Sequence, residues 1–288
     1  MMKIVDFLDN LDKRIIYLIV AIVVIVPFLT PIGCPMKVTE PVRNIYNYVE
    51  DSIPENGTLL ISVDYAPSTM PELHPMGKAL VTHAFANDLR VFMLGLYPQG
   101  TGLAQDIIAT TVREWNEDNP DNIKEVGKDI TLFPYVPGVS AVILKMGEDI
   151  RGTFNTDAYG NDLDEMPIMS GVNNYSDIDY LVDLAGSSVI LSWIIYANGR
   201  YDQKMAIGTT AVSMAEYYIY MNSGQANGML GGLKGAAEYE QLLKLNGKSE
   251  SRNEGLVGMD AQSSAHLTYI IFILLGNIIY FIKKKQEK

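Results

Sequence analysis

The sequence predicts an α/β domain, with a mostly parallel sheet covered by helices on both faces, held between two membrane-spanning helices. Three observations lead there. Ile15 to Gly33 runs for 19 residues without a charge, Leu267 to Ile282 for 16. Between them, short runs apolar on both faces alternate with helix-length segments. Buried parallel strands read as such runs, and strand–helix alternation stacks them into one sheet.

The anchors come first. At about 1.5 Å rise per residue, 19 helical residues match a hydrocarbon core of about 30 Å. The second run is slightly short; Ala265 and His266 extend it, and Tyr269, Tyr280 and Phe281 suit the interfaces. Lys3, Lys13 and Arg14 precede the first run, and Lys283, Lys284, Lys285 and Lys288 follow the second. Basic flanks mark the cytoplasmic side, so both termini are expected there and the centre outside. The expected segments are a cytoplasmic tail at 1–14, a span at 15–33, an extracytoplasmic domain at 36–245, a polar tether at 246–264, a span at 265–282 and a basic tail at 283–288.

Of 22 basic and 34 acidic residues, seven and four lie at the two ends, which leaves 15 and 30 between them and a net charge of −15. Such a surface repels phosphate backbones and anionic lipid heads, so nucleic acid is not an expected partner; the bilayer is one through the two anchors. Cys34 is the only cysteine, so no intrachain disulfide forms. It follows Gly33 as a lipidated cysteine would, but Pro31 stands where that signal needs leucine. Asp6, Asp9 and Asp12, with the long apolar run, favour a retained anchor over a cleaved signal peptide.

Within the domain, a short helix is expected at Pro41–Asp51 and a strand at Thr58–Val63. A helix to Phe85, a strand at Arg90–Leu96 and a helix from Thr101 to about Glu117 follow. Next come a strand at Ile130–Val136, a helix from Gly138 through Met146, and a polar excursion from Glu148 to Glu165. The series continues with a strand at Pro167–Gly171, a helix at Ser176–Leu184, and strands at Ser188–Tyr196 and Lys204–Thr209. It closes with helices at Ala211–Met221 and about Gly228–Leu245. This succession reads as a Rossmann-like three-layer domain.

Ligands of such sheets gather at the carboxyl ends of the strands. The candidates there are Asp64, Gly100, Thr101, Gly102, Ser140, Thr209 and Thr210. Gly100-x-Gly102 opens like a dinucleotide fingerprint, but Gln105 takes the place of its third glycine and the pair follows the second strand. Asp64, Glu72 and His74 form a trio suited to acid–base work or a metal. Asp157, Asp162 and Asp164 sit in an Asn/Asp-rich loop around Gly160 suited to calcium, without the ligand spacing of an EF-hand. The sequence carries neither a complete catalytic set nor a cofactor signature.

Gly224, Gly228 and Gly232 recur every fourth residue. Glycine costs about 1 kcal/mol in a helix interior, so the series suggests a face where another backbone comes close. Asn277 places an amide within the second apolar run. These features favour a non-enzymatic scaffold or assembly component of a membrane complex that self-associates or joins other subunits. The alternative is a domain that binds or hydrolyses a small ligand at the sheet edge.

Overall fold

A computed structural model describes residues 12–33, 36–249 and 253–286. It divides into two compact units, residues 36–255 and a second formed by the two ends of the chain.

In the larger unit, α2 (Glu40–Asn47) runs into a π-helical turn at Tyr48–Ser52. Then come β1 (Thr58–Asp64), α3 (Met70–Ala86), β2 (Arg90–Leu94), α4 (Gly100–Asp118), β3 (Ile130–Leu132) and α5 (Val139–Glu148). The second half holds β4 (Tyr180–Ala185), α6 (Val189–Ser192, continued by a π-helical turn to Asn198), β5 (Met205–Thr209), α7 (Met214–Asn222), β6 (Met229–Gly231) and α8 (Gly232–Leu245). The strands form one sheet of order β3-β2-β1-β4-β5-β6, every pairing parallel. This is the doubly wound order, whose direction of winding reverses between β1 and β4.

β1 is buried along its whole length, as a central parallel strand must be. Its alternate residues feed two cores. Leu59, Ile61 and Val63 pack with α2, α3, α4 and α8 on one face. Leu60 joins Phe92, Leu181 and Ile207 with α5, α6 and Tyr217 of α7 on the other. That second face is also covered by the segment between α5 and β4. It is not the excursion expected at Glu148–Glu165: Ile150, Phe154 and Leu163 are buried in the core, and Arg151 donates to the carbonyls of Met169 and Val172.

Other expectations fail in the middle of the chain. Pro167–Met169 is a 3-10 turn, not a strand. Ser176–Leu184, expected helical, overlaps β4. Ser188–Tyr196, expected as a strand, is helical, and buries Ile190, Trp193, Ile194 and Ala197 along one stripe. The helix expected from Gly228 begins at Gly232, because Met229–Gly231 pairs with β5 as an edge strand.

In the second unit, α1 covers Lys13–Leu29, 17 residues with Pro27 inside. α9 runs for 33 residues, Glu254–Gln286, and is the one described helix long and apolar enough to cross a membrane. It begins within the segment expected as a tether and takes up residues 254–264 of it. Asp260 accepts hydrogen bonds from the backbone N–H groups of Ile32 (2.9 Å) and Gly33 (2.8 Å), which ties the end of the N-terminal segment to α9. Cys34 lies outside the described residues.

Candidate functional site

The reversal between β1 and β4 is where a doubly wound sheet opens its ligand crevice. Here it is filled by the protein. Asp64, the last residue of β1, is fully buried. It accepts hydrogen bonds from Ser62 Oγ (2.5 Å), the N–H groups of Leu96 (2.6 Å) and Tyr97 (3.0 Å), and Trp193 Nε1 (3.4 Å). These donors lock the loop after β2 and helix α6 onto the end of β1. Gly100, at the start of α4, presses on the backbone of β1: an added Cβ would overlap the carbonyl oxygen of Val63. Its lack of a side chain therefore serves helix–strand packing.

The other expected ligands spread around this edge. Thr209 is buried at the end of β5 and its hydroxyl has no hydrogen-bond partner; Thr101, half-buried, has a hydroxyl in the same condition. Thr210 Oγ1 reaches Ser213 Oγ at 3.4 Å, Gly102 is exposed with open space beside it, and Ser140 is half-buried on the first turn of α5.

A residue outside the expected set decides the electrostatics. Asp183, in the middle of β4, pairs in register with Ser62 and is fully buried. No N–H or hydroxyl donor reaches either of its oxygens; its polar neighbour is the carboxyl of Asp64. Burial, then the charge of Asp64, push its pKa well above the ordinary carboxylate range. Asp64 is also raised by burial, but its donors oppose the shift. Two carboxyls in one apolar site cannot both ionise. Asp64, with four donors, carries the charge, and Asp183 beside it holds its proton.

The trio of Asp64, Glu72 and His74 does not assemble. Glu72 accepts from the N–H of Ala211 (2.8 Å). His74 is buried, with Nδ1 3.0 Å from the Tyr65 hydroxyl and Nε2 3.0 Å from exposed Asp106. Burial lowers its pKa and Asp106 opposes the shift.

A second polar core lies where α2, α3 and α8 meet. His83 Nε2 is 2.9 Å from Glu50, Nδ1 is 2.7 Å from the Tyr239 hydroxyl, and Tyr46 stacks on the ring at 4.4 Å. Burial lowers His83 to about 4. The neutral ring thus donates from Nε2 to Glu50 and accepts from Tyr239. Burial would raise Glu50, but hydrogen bonds from Lys248, His83 and Asn87 outweigh it and bring it to about 2.

The expected calcium ligands are engaged elsewhere. Asp157 is buried and braces its own loop, accepting from the N–H groups of Tyr159 and Asn161 and from Asn161 Nδ2. Asp162 caps the following turn, and Asp164 pairs with Arg151 at 3.0 Å. Among the described residues no three His, Cys, Asp or Glu side chains could hold an ion together.

The glycine series is not a helical face. Gly224 sits in a turn at φ +78° with open space around it. Gly228 faces Pro41 and Ile45 of α2, and Gly232 adopts φ +61° against Ala211. The close approach is real at Gly228 and Gly232, but inside the domain.

The sequence also offered no pointer to a cavity of 390 Å³ on the first face, between α3, α4, α8 and the first turn of α9. Lys78 lies in its wall, paired with Glu114 (3.0 Å) and Glu254 (2.7 Å). Thr111 lines it with a buried hydroxyl that has no partner. Compared with known protein families, curated proteins and solved structures, the chain matches none. Its function is therefore argued from its own chemistry.

Proposed function

We propose that this chain is a membrane-anchored, non-enzymatic component of a membrane assembly, with both termini in the cytoplasm and the α/β domain on the opposite side as a docking body. The observation that carries this reading is the filled crevice: Asp64, Gly100 and Thr209 are consumed by packing where a substrate would sit. The apolar length of α9 supports anchoring. The basic flanks support the orientation, and the tie from Asp260 to Ile32 and Gly33 brings the outer ends of both segments together, as two antiparallel crossings require. α7 supports docking, since Tyr218 and Ile219 are exposed side by side on it and Val212 stands open just before it.

The test is cross-linking in intact membranes, with sizing and identification of what co-purifies in mild detergent. An assembly larger than one chain is expected. A monomer at native concentration would refute the proposal, and impermeant labelling of Lys234 only from the cytoplasmic side would refute the orientation.

A second reading rests on the cavity, whose volume lies in the range of small-ligand sites and whose Thr111 hydroxyl lacks a partner. A compound that raises the unfolding temperature of the wild type but not of Thr111→Val would favour it; no such compound in a metabolite screen would count against it.

A further inference from the structure

We infer that α9 pairs in the membrane with α9 of a second copy of this chain, through a face centred on Asn277. This rests on the assembly reading above and names its partner. Thr268 satisfies its hydroxyl within the helix, by donating to the carbonyl of Ser264 at 2.8 Å. Asn277 is exposed and has no hydrogen-bond partner among the described residues. It lies five residues before the end of the apolar run, inside the hydrocarbon, where an unpaired amide is costly.

No hydrogen bond from α1 reaches Asn277 among the described residues. Within the apolar part of α9, Thr268, Phe272 and Ile279 are half-shielded, at helical spacing. On α1 of the same compact unit, Ile16, Val20, Val23 and Pro27 form a similar stripe. At roughly 100° per residue, Asn277 lies about 160° around the helix from Ile279 and about 180° from Thr268. It therefore points away from the sheltered stripe. Its own face carries Ile270, Leu274 and Phe281, all exposed, and Gly276 beside it meets nothing within 4 Å.

The amide argues for a second copy rather than an unrelated helix. Its Nδ2 donates and its Oδ1 accepts, so it complements itself. Copies inserted in the same direction pair in parallel, and a two-fold axis along the membrane normal sets each residue against its own counterpart. Two Asn277 side chains then exchange two hydrogen bonds, with the missing side chain of Gly276 leaving room for close approach.

The single native cysteine makes the test clean. In a full-length Cys34→Ser background, cysteines are placed singly by Leu274→Cys, Asn277→Cys and Phe281→Cys, and on the sheltered stripe by Phe272→Cys and Ile279→Cys. Oxidation in native membranes is expected to give disulfide dimers from the first three and none from the last two. In detergent dilution, Asn277→Leu is expected to raise the dimer dissociation constant by about three- to thirty-fold, the worth of one interhelical side-chain bond, and Asn277→Gln to recover part of it. Cross-links confined to the sheltered stripe, or a dissociation constant unchanged by Asn277→Leu, would overturn the pairing. If Asn277→Leu leaves the dissociation constant unchanged while a larger assembly persists, the inference falls and the assembly reading stands; a monomeric wild type in native membranes removes both.

Discussion

Replacing Gly228 with alanine distinguishes packing within the domain from packing between chains. An ideal Cβ at this position would lie 2.6 Å from the carbonyl oxygen of Pro41, and closer still to Ile45 Cγ1. The side chain of Ile45 can shift, but the carbonyl belongs to the backbone of α2. Overpacking of this kind costs about 1–3 kcal/mol. Alanine restrains the unfolded chain and returns about 0.4–1 kcal/mol, so the net loss centres on about 1.3 kcal/mol. For a unit of this size that lowers the unfolding midpoint by about 3–5 °C. Gly102→Ala is the control of opposite sign: it lies inside α4 with nothing within 4 Å, and alanine there stabilises by about 0.5–1 kcal/mol. Both variants are compared with wild type as full-length chains in mild detergent, by thermal unfolding and light scattering. A Gly228→Ala protein with an unchanged midpoint but an altered assembly size would refute the reasoning and return this glycine to an interface between chains.

Three further outcomes follow from the buried titrating groups and the N-terminus. The pKa of Asp183 is raised on folding, so its proton is held fully below the ordinary carboxylate range and its contribution is lost as pH rises through the folded value. Asp183→Asn is therefore expected to raise the neutral-pH midpoint and flatten that dependence, whereas Asp64→Asn, which turns one of the two accepting oxygens into an amide donor, lowers the midpoint throughout. His83 is depressed to about 4, so the unfolded chain binds the extra proton between pH 6.5 and 4. Stability falls across that window by on the order of 3 kcal/mol, a loss that denaturation at stepped pH will find missing in His83→Gln. Intact-mass measurement is expected to find residues 1–34 retained; a chain shortened by 33 residues with a lipid on Cys34 would replace the N-terminal anchor.

The strands that carry the fold were legible where composition and context agree. β1, β2 and β5 are short, apolar and bounded by turn residues, and the structure places them within one or two residues of their expected bounds. The failure at 176–196 has a physical cause. Val189, Ile190, Ile194 and Ile195 are β-branched and suggest a strand, yet Ile190, Trp193, Ile194 and Ala197 are spaced as one helical stripe, and burial on the sheet followed the spacing. With β4 read as a helix, Asp183 could not be seen as a strand residue facing Asp64, and the most perturbed carboxyl of the edge was missed. The glycine series misled in a similar way: a four-residue period implies one face only if the segment is a helix, and here it crosses a turn, a strand and a helix start.

The domain is closed at its neck by two neighbouring acids of α8. Glu238 accepts from the N–H and hydroxyl of Thr39, at 2.7 and 2.6 Å, where the chain enters the domain. Glu240 accepts from the N–H of Gly255 at 2.9 Å, where the chain leaves. Both carboxylates are buried. The two ends of this unit are thus clasped by two residues of one helix. The clasp spans 199 positions of sequence between Thr39 and Glu238, so a nascent chain cannot fasten it until α8 has been synthesised.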